Sequence, residues 1–180
     1  MKSGSNQFHG SAFEYLRNSA VDARTPFDGS VIPPLRLNQF GGTFGGAIAQ
    51  NRTFFFASYE GLIQRQARTQ IGFVPSISTR ARAVASVRPI VDVYPLGQKA
   101  LSADVDQWTG VTNSTQDEHA GLLRIDHRFT DKLNFYSRFS TNVTETFTPS
   151  TLLPVGTRNN DHPTSGLLDF TYLVSPSSTN

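Results

Sequence analysis

The chain contains no cysteine, so neither a disulfide framework nor a thiolate metal site can hold it together. No stretch approaches the roughly 18 consecutive apolar residues of a transmembrane helix. Leucine-rich helical segments are missing as well. Charge is sparse: Asp, Glu, Lys and Arg make up 17% of the 180 residues, and the formal net charge is +2. Lys and Arg are spread thinly, with no basic run able to neutralise several phosphates, so no nucleic-acid partner is expected. Met1-Lys2-Ser3-Gly4 leads into polar sequence without the apolar region of a secretory signal. That leaves a protein that is never exported, or one whose export signal lies upstream of this start.

What is present suits strands and turns. There are 14 Phe, 14 Gly and 10 Pro, with Ser, Thr, Asn and Gln filling much of the rest. Phe, Tyr, Val and Thr fit a pleated surface, and Gly and Asn supply turns. The expected class is all-β and antiparallel. In 11–17, Phe13 and Tyr15 alternate with Ala12 and Glu14; in 38–48, Phe40, Phe44 and Ile48 alternate with Gln39, Thr43 and Ala47. Gly41, Gly42, Gly45 and Gly46 lie inside that second strand, which marks a bend or a close approach by another backbone, such as something filling a barrel lumen. In 53–61, Phe55, Ala57 and Tyr59 form one face. Leu123, Ile125 and Phe129 alternate with Arg124, Asp126 and Arg128; Leu133, Phe135, Phe139 and Val143 with Asn134, Tyr136, Arg138 and Asn142; Leu168, Phe170, Tyr172 and Val174 with Leu167, Asp169 and Thr171.

Six strands of roughly 9–11 residues match the length a tilted strand needs to cross a bilayer. From about Arg65 to Gln116 the sequence reads as irregular, with Pro75, Pro89 and Pro95 and a short helix near Thr79–Val87. The stretch 67–115 is expected to be an extracellular loop, where Tyr94 and Trp108 would stack on a sugar ring or simply pack. A further loop is expected between the fifth and sixth strands, and a turn at Ser175–Asn180. Connections are therefore long after strands one, three and five and short after two, four and six. That asymmetry belongs to outer-membrane barrels, but a soluble sandwich also alternates apolar with polar. Periodicity leaves both open.

Three segments resemble one family. Lys2-Ser3-Gly4-Ser5-Asn6-Gln7-Phe8-His9-Gly10-Ser11-Ala12-Phe13-Glu14-Tyr15-Leu16-Arg17-Asn18 resembles the plug-to-barrel junction of TonB-dependent outer-membrane receptors. Asn38–Gly46 followed by Asn51–Gly61 resembles the next hairpin, and Arg124–Lys132 a later one. The subgroup it is similar to is the large Oar-like receptors with a carboxypeptidase-regulatory-like N-terminal domain. The resemblance implies that 1–7 ends a plug and 8–180 forms the N-terminal part of a barrel of about 22 strands. It also implies import of a large or scarce solute, with energy from an inner-membrane TonB complex acting through a missing N-terminal part. Partners would be outer-membrane lipid, the plug, the remaining strands and an unknown ligand. Met1 stands where the family pattern carries Thr. Six strands leave two unpaired edges, which lipid does not tolerate, so this stretch alone is expected neither to transport nor to insert stably. The competing reading is a soluble, secreted β-sandwich binding module, with glycans as the ligand class.

No catalytic pattern is visible. His9, His119, His127 and His162 lack metal-ligand spacing, Gly41–Gly46 lacks the Lys and Ser/Thr of a phosphate loop, and there is no nucleophile elbow. No enzyme and no cofactor is expected. In a barrel, Glu14, Glu60, Arg124, Asp126, Arg128 and Arg138 would point into the lumen, since Arg or Lys on the lipid face costs about 2–4 kcal/mol near the midplane. They would hold a plug through ion pairs, or pair with each other in a solvated lumen. Phe13, Tyr15, Phe55, Tyr59 and Phe139 would face lipid in a barrel and form the core of a sandwich.

Overall fold

The computed structural model describes residues 5–23, 32–175 and 178–179. Of the expected junction 1–7, residues 1–4 fall outside that range, as do Pro176, Ser177 and Asn180 of the expected final turn. The strands are β1 (His9–Asn18), β2 (Leu35–Ala49), β3 (Thr53–Pro75), β4 (Lys99–Ala100), β5 (Val105–Arg128), β6 (Leu133–Pro149), β7 (Gly156–Asp161), β8 (Thr164–Ser175) and β9 (Ser178–Thr179). All pairings are antiparallel, in the order β1-β2-β3-β5-β6-β8-β9, with β4 beside β5 and β7 beside β6. This is an up-and-down meander in an open sheet, with no second sheet packed against it among the described residues. A sandwich needs two facing sheets, so the soluble alternative is not favoured.

The tight connections lie at one end. At Ala49–Arg52 the Arg52 N–H donates to the Ala49 carbonyl, and Asn51 carries the positive φ that a short polar side chain tolerates. Asn6 clasps this turn: its Oδ1 accepts from the Asn51 N–H at 2.8 Å while its Nδ2 donates to Asn51 Oδ1. At the second tight turn, Thr130 Oγ1 accepts from the N–H groups of Lys132 and Leu133.

The long connections at the other end differ from the sequence reading. The stretch 65–116 is mostly not a loop: β3 and β5 run for 23 and 24 residues and stay paired in one register from Thr53–His127 to Pro75–Val105. Only 76–104 caps the ribbon, with helices α1 (Ile77–Arg82) and α2 (Arg88–Val91) where one helix was expected. Arg80 holds the cap closed, its guanidinium donating to the carbonyls of Pro75, Val91, Tyr94 and Pro95 at 2.7–3.1 Å. Ser76 caps α1, accepting from the Thr79 N–H while donating to the Ala103 carbonyl. The expected loop after the fifth strand shrinks to 150–155, because β6 runs on to Pro149 and β7 pairs with it. β7 and β8 keep the same register on β6 and are separated only by His162-Pro163, where Pro163 can still accept from the Asn142 N–H but has no N–H to give.

The sheet has almost no interior. Ala67 and Val74 are the only buried apolar side chains beyond glycine among the described residues, while Leu168, Phe170 and Phe139 are 70%, 61% and 52% exposed.

Candidate functional site

The register sorts every side chain onto one of two faces, because directly paired residues share a face. One face is polar. It carries Glu60, Arg124, Asp126, Arg128 and Arg138, together with Gln39, Gln64, Gln66, Gln116, Glu118, Asn134 and Asn142. The other is apolar, with Phe40, Phe44, Phe55, Ala57, Tyr59, Leu123, Ile125, Leu133, Phe135, Phe139, Val143, Leu168, Phe170 and Tyr172.

Three of the sequence assignments do not fit this division. Phe13 pairs with Gly41, Gly41 with Glu60 and Tyr15 with Gln39, so Phe13 and Tyr15 stand on the polar face. Glu14 pairs with Phe40 and therefore stands on the apolar face with Phe55, Tyr59 and Phe139. The reason is steric. A Cβ at position 41 would come within 2.8 Å of the Phe13 ring, so the ring occupies the place a side chain would take there. The same relation holds at two further strand glycines. The Phe8 ring covers Gly46, and the Phe40 ring covers Gly61. Gly46 and Gly61 thus admit aromatic rings, Gly41 both the Phe13 ring and the Tyr59 carbonyl oxygen, and Gly42 and Gly45 the backbone carbonyls of Ser11 and Phe55, so the close neighbours belong to the chain's own adjacent segments and not to a body filling a lumen.

The polar face is largely self-satisfied. Arg124 donates to both carboxylate oxygens of Asp126 at 2.6–3.1 Å and lies over the Tyr136 ring, 4.4 Å from its centre. The Arg124 and Asp126 side chains are 16% and 22% exposed, so the pair is shielded from bulk water. Arg138 is the direct cross-strand partner of Arg124, and Asp126 offsets that repulsion. Gln39 donates to Glu60, Asn142 Nδ2 to Glu118 Oε1 at 2.9 Å, and Arg128 to Asp131 beside the tight turn. Hydroxyls pair across strands between these charges, Ser11 with Thr43 and Ser140 with Ser165.

The apolar face has a definite extent. Its aromatic contacts run Phe8–Phe44–Phe55 and Phe135–Phe170, with centroids 4.8–6.3 Å apart. Tyr59 Oη shares a 2.7 Å hydrogen bond with His119 Nδ1 near one margin. From Leu133 to Val143 the band covers eleven residues of β6; ten steps of about 3.3 Å at a tilt of about 40° make about 25 Å of height. Beyond it, towards the long connections, this face turns polar. Glu14 sits at the margin, then come Asn38, Asp117 and Glu145, then Arg36, Arg65 and Arg158. Arg65 and Asp117 form a two-pronged pair at 2.5 and 2.7 Å.

Among the described residues no three His, Asp or Glu side chains come together as metal ligands, and no helix is long and apolar enough to cross a membrane. A family model described as an outer membrane beta barrel domain matches residues 1–91 and again 80–180, so the two matches together span the chain. No curated protein and no solved structure gives a match.

Proposed function

This chain belongs to the outer-membrane β-barrel domain family and resides in the outer membrane, and from that premise we propose that it is part of the wall of a TonB-dependent, Oar-like importer. The apolar face meets lipid: a band about 25 Å high is what a bilayer-spanning barrel presents outward. The polar face meets the lumen. The tight turns then lie in the periplasm, and the β3–β5 ribbon with its cap rises outside the cell.

The observation that carries the importer reading is one of order. The segment resembling a plug-to-barrel junction runs into β1 at His9, and the resemblance makes β1 the first strand of the wall. The edges of β1 and of β7–β8 would pair with further strands, since open edges are not tolerated in lipid. A plug would sit against the polar face, and an inner-membrane complex would pull on it to admit a large or scarce solute. Because Arg124, Asp126, Glu60 and Glu118 already have partners within the sheet, they act here as wall-stabilising pairs rather than as plug latches. No catalytic role, cofactor or nucleic-acid partner is assigned.

The test is energy dependence. Cells carrying the protein are offered a panel of labelled oligosaccharides, peptides and metal chelates, with and without the inner-membrane coupling protein. Accumulation that stops when coupling is removed supports the importer. Accumulation that survives it means a passive barrel.

A further inference from the structure

On the edge away from β3, the ladder of β5 has a gap. Towards the cap β5 pairs with β4 as far as Lys99–Gln107, and towards the wall it pairs with β6 from Thr115–Phe147 onward. Pro149, two residues past Phe147, has no N–H with which to carry the second pairing further. Gln98 fills the first position of the gap. Its Oε1 accepts from the Thr109 N–H at 2.6 Å, and its Nε2 donates to the Thr109 carbonyl at 3.0 Å. A side-chain amide thus stands where the peptide group of a strand would stand. Backbone groups along a strand point to alternate edges, so Val111 presents its N–H and carbonyl to the same edge as Thr109. Among the described residues no strand pairs with Val111 there. The gap opens into a cavity of about 650 Å³, lined by Val93, Trp108, Val111, Phe147 and Leu153 among others, and no lining residue is charged. Its walls are held in place from within the fold. The Trp108 ring lies over Gly110, Leu152 lies against Gly72, and Arg80 holds the carbonyls of Tyr94 and Pro95.

We propose that this gap binds an extended, uncharged peptide, which joins β5 as a short added strand at Val111. An open strand edge pairs with another strand: main-chain hydrogen bonds give the affinity, and flanking pockets select the side chains. The added strand lies in the lane that β4 and β6 share, and so continues the ladder that both already form with β5. A charged side chain would lose its hydration in this cavity without gaining a partner, which sets the preference for uncharged residues. The inference does not depend on the importer reading, since a passive barrel would carry the same gap.

The experiment takes the protein as assembled in an outer membrane and extracted in mild detergent. An equimolar pool of acetylated, amidated pentapeptides built from Val, Leu, Thr and Ser is passed over it, and retained peptides are counted by mass spectrometry. The parent should enrich a subset of the pool, and Val111→Pro should retain that subset at least tenfold less. Proline removes the Val111 donor and blocks the edge but spares the β3–β5 ladder, because the lost N–H points away from β3. Val111→Thr keeps the N–H and should retain peptides like the parent. Resistance to unfolding by detergent at room temperature selects the folded fraction of each variant before counting. A second measurement needs no variant. N-methylation of alternate residues in a retained peptide should abolish retention in one phase of the alternation and spare it in the other. No enriched peptide, equal retention by Val111→Pro and the parent, or indifference to N-methylation in both phases overturns the proposal. Neutral oligosaccharides that are retained in place of peptides, and lost with Val111→Pro, overturn the peptide assignment.

Discussion

Phe13 and Glu60 stand on the same face of the sheet, in one row with Gly41 between them. An aromatic and a carboxylate thus share the polar side, and the neighbouring Glu14 points the other way. Single-cysteine labels should separate the faces. Labels at Phe13 and Glu60 should react with water-soluble maleimide admitted to the lumen, and labels at Phe55 and Phe139 should be quenched by brominated lipid. Quenching at Phe13 instead would mean that β1 is shifted by one residue.

Leu122 and Leu123 are neighbours on opposite faces of β5, near the middle of the apolar band. Leu123→Lys should cost about 2–4 kcal/mol of stability in a bilayer. Leu122→Lys should cost much less. Equal losses, measured by denaturant titration in liposomes, would refute the face assignment.

Gly41 and Gly121 offer a packing contrast. A Cβ at 41 would meet the Tyr59 carbonyl oxygen at 2.5 Å, whereas at 121 the nearest atom is Thr141 Cγ2 at 3.8 Å. Gly41→Ala should destabilise by about 1–3 kcal/mol through overpacking. Gly121→Ala should be neutral or stabilise by about 0.4–1 kcal/mol, through the reduced freedom of the unfolded chain. Thermal unfolding of both variants decides the order.

Arg124 and Asp126 should behave as a coupled pair. A double-mutant cycle with Arg124→Met and Asp126→Asn should give a coupling of about 1 kcal/mol, more than a fully solvated pair delivers. Additive effects would show that the pair contributes nothing to the wall.

Arg80→Lys should open the cap without disturbing the wall. An ammonium cannot reach four carbonyls at once, and losing hydrogen bonds of this charged kind costs about 1.5–3 kcal/mol. Limited proteolysis should then cut within 83–104 while the sheet persists. Unchanged protection would assign the closure of the cap to its other contacts, such as Ser76 with Ala103 and Thr79 with Asp104.

Alternation in the sequence was a good guide where the two faces meet different solvents. Leu123, Ile125, Leu133 and Phe139 alternate with Arg124, Asp126, Asn134 and Arg138, and the register keeps them apart as the alternation suggests. It failed in the upper halves of β3 and β5. There Gln64, Arg65, Gln66, Arg68 and Thr69 face Gln116, Thr115, Ser114, Thr112 and Val111, and both faces meet water, so a strand looks like a loop. It failed in β1 for another reason. The Phe13 ring sits where Gly41 leaves room for it and Tyr15 packs beside that ring, both on the face away from Phe55 and Phe139, and only the pairing partner reveals that.

The β3–β5 ribbon continues for fourteen residues beyond Gly61, which lies at the margin of the apolar band. At about 3.3 Å per residue, and allowing for tilt, its tip stands about 30–45 Å from the membrane surface. With the ribbon outside the cell, as proposed above, whatever approaches would touch the cap before it reaches the membrane. Residues 76–104 would then be the first part of the molecule to be met, a tip that Arg80 closes and that is tied to the top of β5 through Lys99 and Ala100.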